Sequence, residues 1–294
     1  MSIALAKNYI ALLDEVYKRA SLTANLIRND GMVKAGKNAN EILVPKISMD
    51  GLADYSRSNG YVSGDVSVEW ETKTFNYDRG RLFKVDSMDN EETINVAFGM
   101  LTAEFIRTKV VPEVDAFTFA TLAGKAGANA SAALSSGSDV MDAIKTANDA
   151  MDNNEVTVEG RILYATPGII SAIQAMDTTK SRELLGAFAQ IVKVPQTRFY
   201  SAIDLYDGST SGETAGGYVK HVSTGASDAA SVNLNFMIVE PSAVLKFSKR
   251  IAGNIITPEE NQTSDGYIQK FREYDLCDVM DNKTAGIYVH KSTT

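Results

Sequence analysis

The residues that carry chemistry in this chain are few and scattered. Its 294 residues include two histidines, His221 and His290, and one cysteine, Cys277. Zinc needs several His or Cys ligands at short, regular spacing, and neither histidine has such a companion. Each reads as an exposed or structural residue. Cys277 has no histidine near it in sequence to draw off its proton, so it reads as a packed thiol, not a nucleophile. Asp139, Asp142, Asp149, Asp152 and Glu155 gather around one predicted helix, as on an ordinary solvated face. No G-x-S-x-G elbow, Walker loop or G-x-G-x-x-G turn occurs. Gly124-Lys125 lacks the upstream glycine and the following Ser/Thr of a phosphate loop. No catalytic, metal-binding or cofactor-binding residue is therefore expected, and the chain does not read as an enzyme.

Composition narrows the classes further. The chain is 44% hydrophobic and 22% charged, ordinary for a folded protein and enough for two domains or one large one. It has no apolar run of about 18 residues, so no membrane span is expected. Lys7, Asp14, Glu15, Lys18 and Arg19 interrupt the N-terminus, which therefore lacks the apolar core of a secretory signal. A single cysteine excludes an internal disulfide and fits a reducing compartment. The net charge of −8 argues against sequence-independent nucleic-acid binding, but not against enclosing nucleic acid, since an acidic wall would not stick to it.

The elements matter more than the motifs. Asp89 to Gly124 reads as one long helix, on the order of 50 Å. Asp89 and Glu92 have capping spacing, and Ile94, Ala97, Phe98, Leu101 and Phe105 recur at helical intervals. Pro112 has no N–H for the Thr108 carbonyl, which predicts a bend. Beyond it the apolar residues divide between two faces: Val110, Val114 and Phe117 on one, Phe119 and Leu122 on the other. Residues 1–31 read equally as an arm of one or two helices or as a first core helix. Glu41–Ile47 reads as a strand ending, or running at an edge, near Pro45. Val66, Val68 and Trp70 alternate with Ser67 and Glu69, and Arg81–Val85 returns after Tyr77-Asp78-Arg79-Gly80. Together these predict a two-stranded hairpin, which either projects from the body or belongs to a larger sheet. A projecting ribbon is barely stable alone and would need a neighbouring subunit beneath it. Ala126–Gly137 reads as a linker. Ser138-Asp139 caps a helix to Met151, Ile162–Ala165 is a buried strand, Pro167 opens a helix to Met176, and short strands follow over 186–200. Pro241 opens one helical turn, after which strands dominate.

The ordered set Val68-Glu69-Trp70-Glu71-Thr72, Asp78 to Asp86, Asp89-Asn90-Glu91-Glu92-Thr93 and Val111 to Phe117 resembles the major capsid proteins of tailed bacteriophages. The resemblance implies an α+β, HK97-like capsid fold. Its parts would be an N-terminal arm (1–31), a first piece of the peripheral domain (32–47), an extended E-loop (48–86), a spine helix (87–125), an axial α/β domain (126–239) and peripheral return strands (240–294). It implies a structural head protein of the virion, assembled in the host cytoplasm through hexamers and pentamers into an icosahedral shell around double-stranded DNA. The implied partners are further copies of the chain, a separate scaffolding protein, a portal protein, DNA without sequence-specific contact, and in some systems a decoration protein, but no membrane. Trp70, Lys73, Phe75, Tyr77, Arg79 and Arg81 are the E-loop residues expected at contacts between subunits, and Pro112 the site of a spine bend. An encapsulin-type compartment would share the fold. A soluble hydrolase would need a convergent acid/base pair that the sequence does not offer.

Overall fold

The computed structural model describes residues 21–27, 34–35, 40–58, 60–88, 104–176, 178–225 and 228–293. The first half of the expected long helix, Asp89–Ala103, and most of the expected arm lie outside these residues. The described part of the helix begins at Glu104 and passes through a π turn, Ile106–Val110, into α1, Val111–Gly124. The Val111 N–H bonds back to Ile106 O, five residues earlier. Such a turn, one residue wider than an α-turn, stands directly before Pro112, where the missing N–H would otherwise leave a gap in the ladder.

The two apolar faces of α1 serve two sheets. The larger sheet has five strands, in the order β5-β13-β10-β6-β7. These are Ala128–Ser131, Ile287–Lys291, Leu234–Val239, Ile162–Ala165 and Gln190–Lys193. One of its faces sends Tyr164, Val192, Met237, Val239, Ile287 and Val289 into a core with Phe119, Leu122 and Ala123 of α1. The other sends Leu163, Ala165, Phe236, Ile238 and Tyr288 against α2 (Gly137–Asn153) and α3 (Pro167–Met176), through Ile144, Ala147, Ile170 and Ile173. The period of two along each strand explains this sandwich. The other face of the helix, with Ile106, Val110, Val111 and Val114, packs on Tyr77 and Phe271 of a second sheet, and Phe117 lies against the same cluster. That sheet runs β11-β12-β4, Val244–Ile256, Gly266–Val279 and Tyr77–Asp86.

Four expectations change. β5 lies in the stretch read as a linker, and it pairs in parallel with β13. The last strand, β13, joins β10 in the five-stranded sheet, so residues 240–294 do not all return to one body. The predicted hairpin is not a hairpin. β3 (Val66–Thr74) pairs with β2 (Glu41–Met49), while β4 pairs with β12. Only Phe75 and Asn76 separate β3 from β4, yet the chain changes sheets between them. Asn76 fixes that crossing: its Nδ2 donates to Cys277 O at 2.8 Å and its Oδ1 accepts from Cys277 N at 3.1 Å. The helix expected from Ser138 begins two residues earlier, because Ser136 and Asp139 form the capping box. A short helix α4 (Thr179–Gly186) precedes β7, and a small hairpin joins β8 (Ile203–Leu205) to β9 (Tyr218–Lys220).

Candidate assembly surface

β2 and β3 form an antiparallel ribbon whose registered pairs sort its side chains onto two unlike faces. Pro45 lies opposite Trp70, Ile47 opposite Val68, and Met49 opposite Val66. Directly opposed residues share a face, so these six make one continuous apolar surface. Lys46–Glu69 and Ser48–Ser67 make the other, which is polar. The apolar face is open to solvent: Ile47 is 56% exposed, Met49 69% and Val68 54%. At the far end Asp65 N donates to Asp50 Oδ2 at 2.8 Å and Asp50 N to Asp65 O at 3.1 Å, closing the neck of a tip that spans 51–64. The tip presents Leu52, Tyr55, Tyr61 and Val62, all exposed, with the two tyrosine rings 4.8 Å apart. Isolated apolar side chains on a surface are ordinary, whereas a contiguous exposed strip like this one is not.

The ribbon is anchored at its base. Ile42 and Val44 pack with Leu245 and Leu276 of β11 and β12. Buried Lys73 reaches Glu71 at 2.5 Å, Asp281 at 2.9 Å and Asp278 at 3.6 Å, and Lys125 at the end of α1 reaches Asp278 at 2.5 Å. Burial pulls the Lys73 ammonium down, but the hydrogen bonds to Glu71 and Asp281 outweigh it and hold its pKa above the usual lysine range. Phe75 stacks on Tyr274 at 4.9 Å.

The residues expected at contacts between subunits thus divide. Trp70 stands on the open apolar face. Lys73, Phe75, Tyr77, Arg79 and Arg81 all have partners inside the chain. Tyr77 Oη donates to Glu113 Oε1 at 3.1 Å, and Arg79 Nε donates to the same oxygen at 2.7 Å. Burial, then the Glu113 charge, push the Tyr77 phenol well above its usual range. Arg79 also reaches Gly217 O, and Arg81 reaches Thr214 O at 3.0 Å. The two arginines tie β4 to the loop 206–217. Gly208, beside the Arg81 guanidinium, has φ +76°, a conformation that L side chains rarely adopt and that favours glycine. Pro112 sits beside the π turn described above.

Sequence reading missed Asp115. It is fully buried on α1 and accepts from Ser21 Oγ (2.9 Å), Leu22 N (3.1 Å), Thr23 N (3.3 Å), Thr23 Oγ1 (2.7 Å) and Arg198 Nη1 (3.2 Å). Lys246 Nζ donates to Thr23 Oγ1 at 2.6 Å. One carboxylate therefore holds segment 21–23 onto the helix. The available signal was an aspartate set inside the apolar run Val110–Phe119.

The two histidines and the cysteine are held by neighbours inside the chain. His290 is buried and stacks on Phe236 at 4.9 Å. His221 lies between Asp204 (2.7 Å from Nδ1) and Asp228 (2.9 Å from Nε2). Cys277 is buried, and burial pushes its thiol up to about 11. Among the described residues no group of three His, Cys, Asp or Glu side chains is placed to hold a metal, and no helix is long and apolar enough to cross a membrane. A cavity of about 1080 Å³ opens between β4, the π turn and the loop 206–220. Four acidic residues line it, Glu104, Glu113, Asp207 and Glu273, and of these Glu113 is engaged by Tyr77 and Arg79.

No family model and no curated protein matches the chain. Solved structures do. A structure from Mycobacterium phage Che8 aligns over 92% of this chain and 90% of its own, with a TM-score of 0.58 at 15% identity. The capsid structure of cyanophage P-SCSP1u covers 89% and 86%, with a TM-score of 0.57 at 10% identity. The chain has the HK97-like phage capsid fold. A virus-like particle from Pyrococcus furiosus matches over 96% of this chain and 99% of its own, with a TM-score of 0.53 at 11% identity. A capsid fold gives the open ribbon a physical context, because shells of this kind are built from repeated contacts between copies.

Proposed function

We propose that the chain is the major capsid protein of a tailed bacteriophage, a structural subunit that closes into an icosahedral shell through hexamers and pentamers. The observation that carries this reading is the apolar face of the β2–β3 ribbon, open on a chain with a capsid fold. Such a surface is completed by neighbours. In this reading the ribbon is the E-loop and lies on the adjacent subunit, Trp70 is its central anchor, and Lys73, Tyr77, Arg79 and Arg81 set its direction from inside. The helix through α1 is the spine, the five-stranded sheet with α2 and α3 forms the axial body, and β4, β11 and β12 belong to the peripheral body. The shell would enclose double-stranded DNA without sequence-specific contact, be assembled in the host cytoplasm with a scaffolding protein, and carry a portal at one vertex.

Likeness to the Pyrococcus particle over nearly its whole length supports a second reading, an encapsulin-type compartment. Electron microscopy of the expressed protein, with and without a scaffold partner, tests both. Closed round shells are expected. Shells that package DNA in a portal-dependent manner favour the phage reading, and shells that retain a cargo protein favour the compartment. A monodisperse monomer under every condition would overturn both.

A further inference from the structure

The face of β12 that packs on α1 buries two carboxyls side by side. Alternation along the strand puts Phe271, Glu273, Asp275 and Cys277 on that face. Phe271 packs with Val110 and Val114, and Cys277 reaches Thr118 of α1. Between them, Glu273 is 1% exposed and Asp275 4%. Register sets Arg79 of β4 and Ile251 of β11 beside Glu273, and Tyr77 and Ser248 beside Asp275. Asp275 is hydrogen-bonded to Glu273 and to Ser248. An ionised carboxylate can only accept, so a hydrogen bond between two carboxyls needs a proton on one of them. Among the described residues, Asp275 Oδ1 meets no N–H or hydroxyl donor.

The charges around the pair leave one acid over. Glu113 and Asp115 of α1 already have their cations, Arg79 at 2.7 Å and Arg198 at 3.2 Å. Lys246 of β11, whose Nζ is held on Thr23 Oγ1, is the cation left for Glu273 and Asp275. Tyr77 and Cys277 beside them stay neutral, since burial pushes both up. Glu273 also lines the cavity, across which Arg81, Lys109 and Lys220 stand against Glu104 and Asp207, with the phenols of Tyr200, Tyr206 and Tyr218. Of these charged groups all but Lys220 are exposed, and water screens them. Burial raises the Asp275 pKa, and the bonds to Glu273 and Ser248 and the Lys246 charge offset only part of the rise.

We propose that Glu273 and Asp275 share one proton and form a pH-sensitive latch between α1 and the three-stranded sheet. With the proton in place the pair carries one charge, matched by Lys246, and the helix stays packed on the sheet. Without it a second charge is buried with no cation to meet it, and the junction loosens. The latch belongs to the single chain and does not depend on the shell reading. In a shell it sets the pH above which helix and sheet can part.

Asp275→Asn and Glu273→Gln keep the size of each group and cannot ionise. A carboxyl whose folded pKa is raised contributes its stability in full below the unfolded value and loses it as pH rises through the folded one. Each variant escapes that loss. In denaturant unfolding of the unassembled full chain, read by circular dichroism, each is expected to gain on the parent as pH rises from about 5 to about 9. The gain expected in the folding equilibrium constant is at least about tenfold, the size of a one-unit shift. The parent is also expected to keep a protonated-carboxyl band in the infrared at about pH 6, where ordinary carboxyls are ionised, and both variants to weaken it. A difference between variant and parent that is the same at every pH overturns the proposal, because the carboxyls are then plain packing groups. A band that neither substitution changes overturns it too. Variants that fold at no pH would show that both charges are required, which also contradicts it.

Discussion

Asp115 is the residue on which segment 21–23, α1 and Arg198 converge. A carboxylate taken wholly out of water is tolerated only when its oxygens are satisfied, and here backbone amides, hydroxyls and a guanidinium do so together. Asp115→Ala strands those donors and is expected to cost about 3 kcal/mol in denaturant unfolding. A loss below about 0.5 kcal/mol would show that the cluster adds little. His221 gives a pH-dependent counterpart. Both ring nitrogens face carboxylates, and only the imidazolium can donate to both. Hydrogen bonds to Asp204, then Asp228, raise its pKa above the ordinary 6.5. A group raised in the folded state stabilises fully below its unfolded value and loses that contribution as pH rises through the folded one. The tie between β8 and the loop at Asp228 should therefore hold below pH 6.5 and loosen at alkaline pH. Nitrogen-15 NMR of the two imidazoles checks this: His221 should titrate above 6.5, and His290, whose pKa is lowered by burial, below it. The reverse order would sink the assignment. Neither cluster was legible from sequence, because the partners of Asp115 at 21–23 stand more than ninety residues away and nothing local points to them.

At the scale of elements, the sequence pattern succeeded where a side chain's environment follows from its own neighbours. The split of apolar residues along the helix, Val110 and Val114 against Phe119 and Leu122, became two faces serving two sheets. The strand at Ile162 and the helix opened by Pro167 stand where capping and periodicity put them. Pairing was less legible. Alternation tells which way a strand's side chains point but not which strand lies beside it, so β3 and β4 looked like each other's partners. Asn76, which turns the chain from one sheet to the next, carries no signal in its type alone. The π turn belongs to this scale as well. Pro112→Ala restores a donor for the Thr108 carbonyl, and the expected result is a regular α-turn in which Val111 N–H bonds Arg107 O instead of Ile106 O. A high-resolution structure of the variant with the π turn unchanged would show that packing on Tyr77 and Phe271, not the proline, holds it. In a shell, an unchanged spine and unchanged expansion would also remove any role for Pro112 in maturation.

Taken as a whole, the molecule packs two sheets on one helix and leaves one apolar ribbon face exposed. The five-stranded sheet is covered on both faces by its own helices, and the second sheet is covered on one. Beyond Val44 the ribbon leaves Ile47, Met49, Val66 and Val68 exposed, and in the proposed reading another copy covers them. This strip carries Trp70, the chain's one tryptophan, which is 42% exposed. Its fluorescence therefore reports directly on the surface at issue. As particles form, followed in parallel by light scattering, Trp70 emission is expected to move to shorter wavelength and to become shielded from acrylamide, in step with assembly and reversibly on dilution. Shells that close while Trp70 stays as red and as quenchable as in the free chain would contradict the claim that a neighbouring copy completes this ribbon.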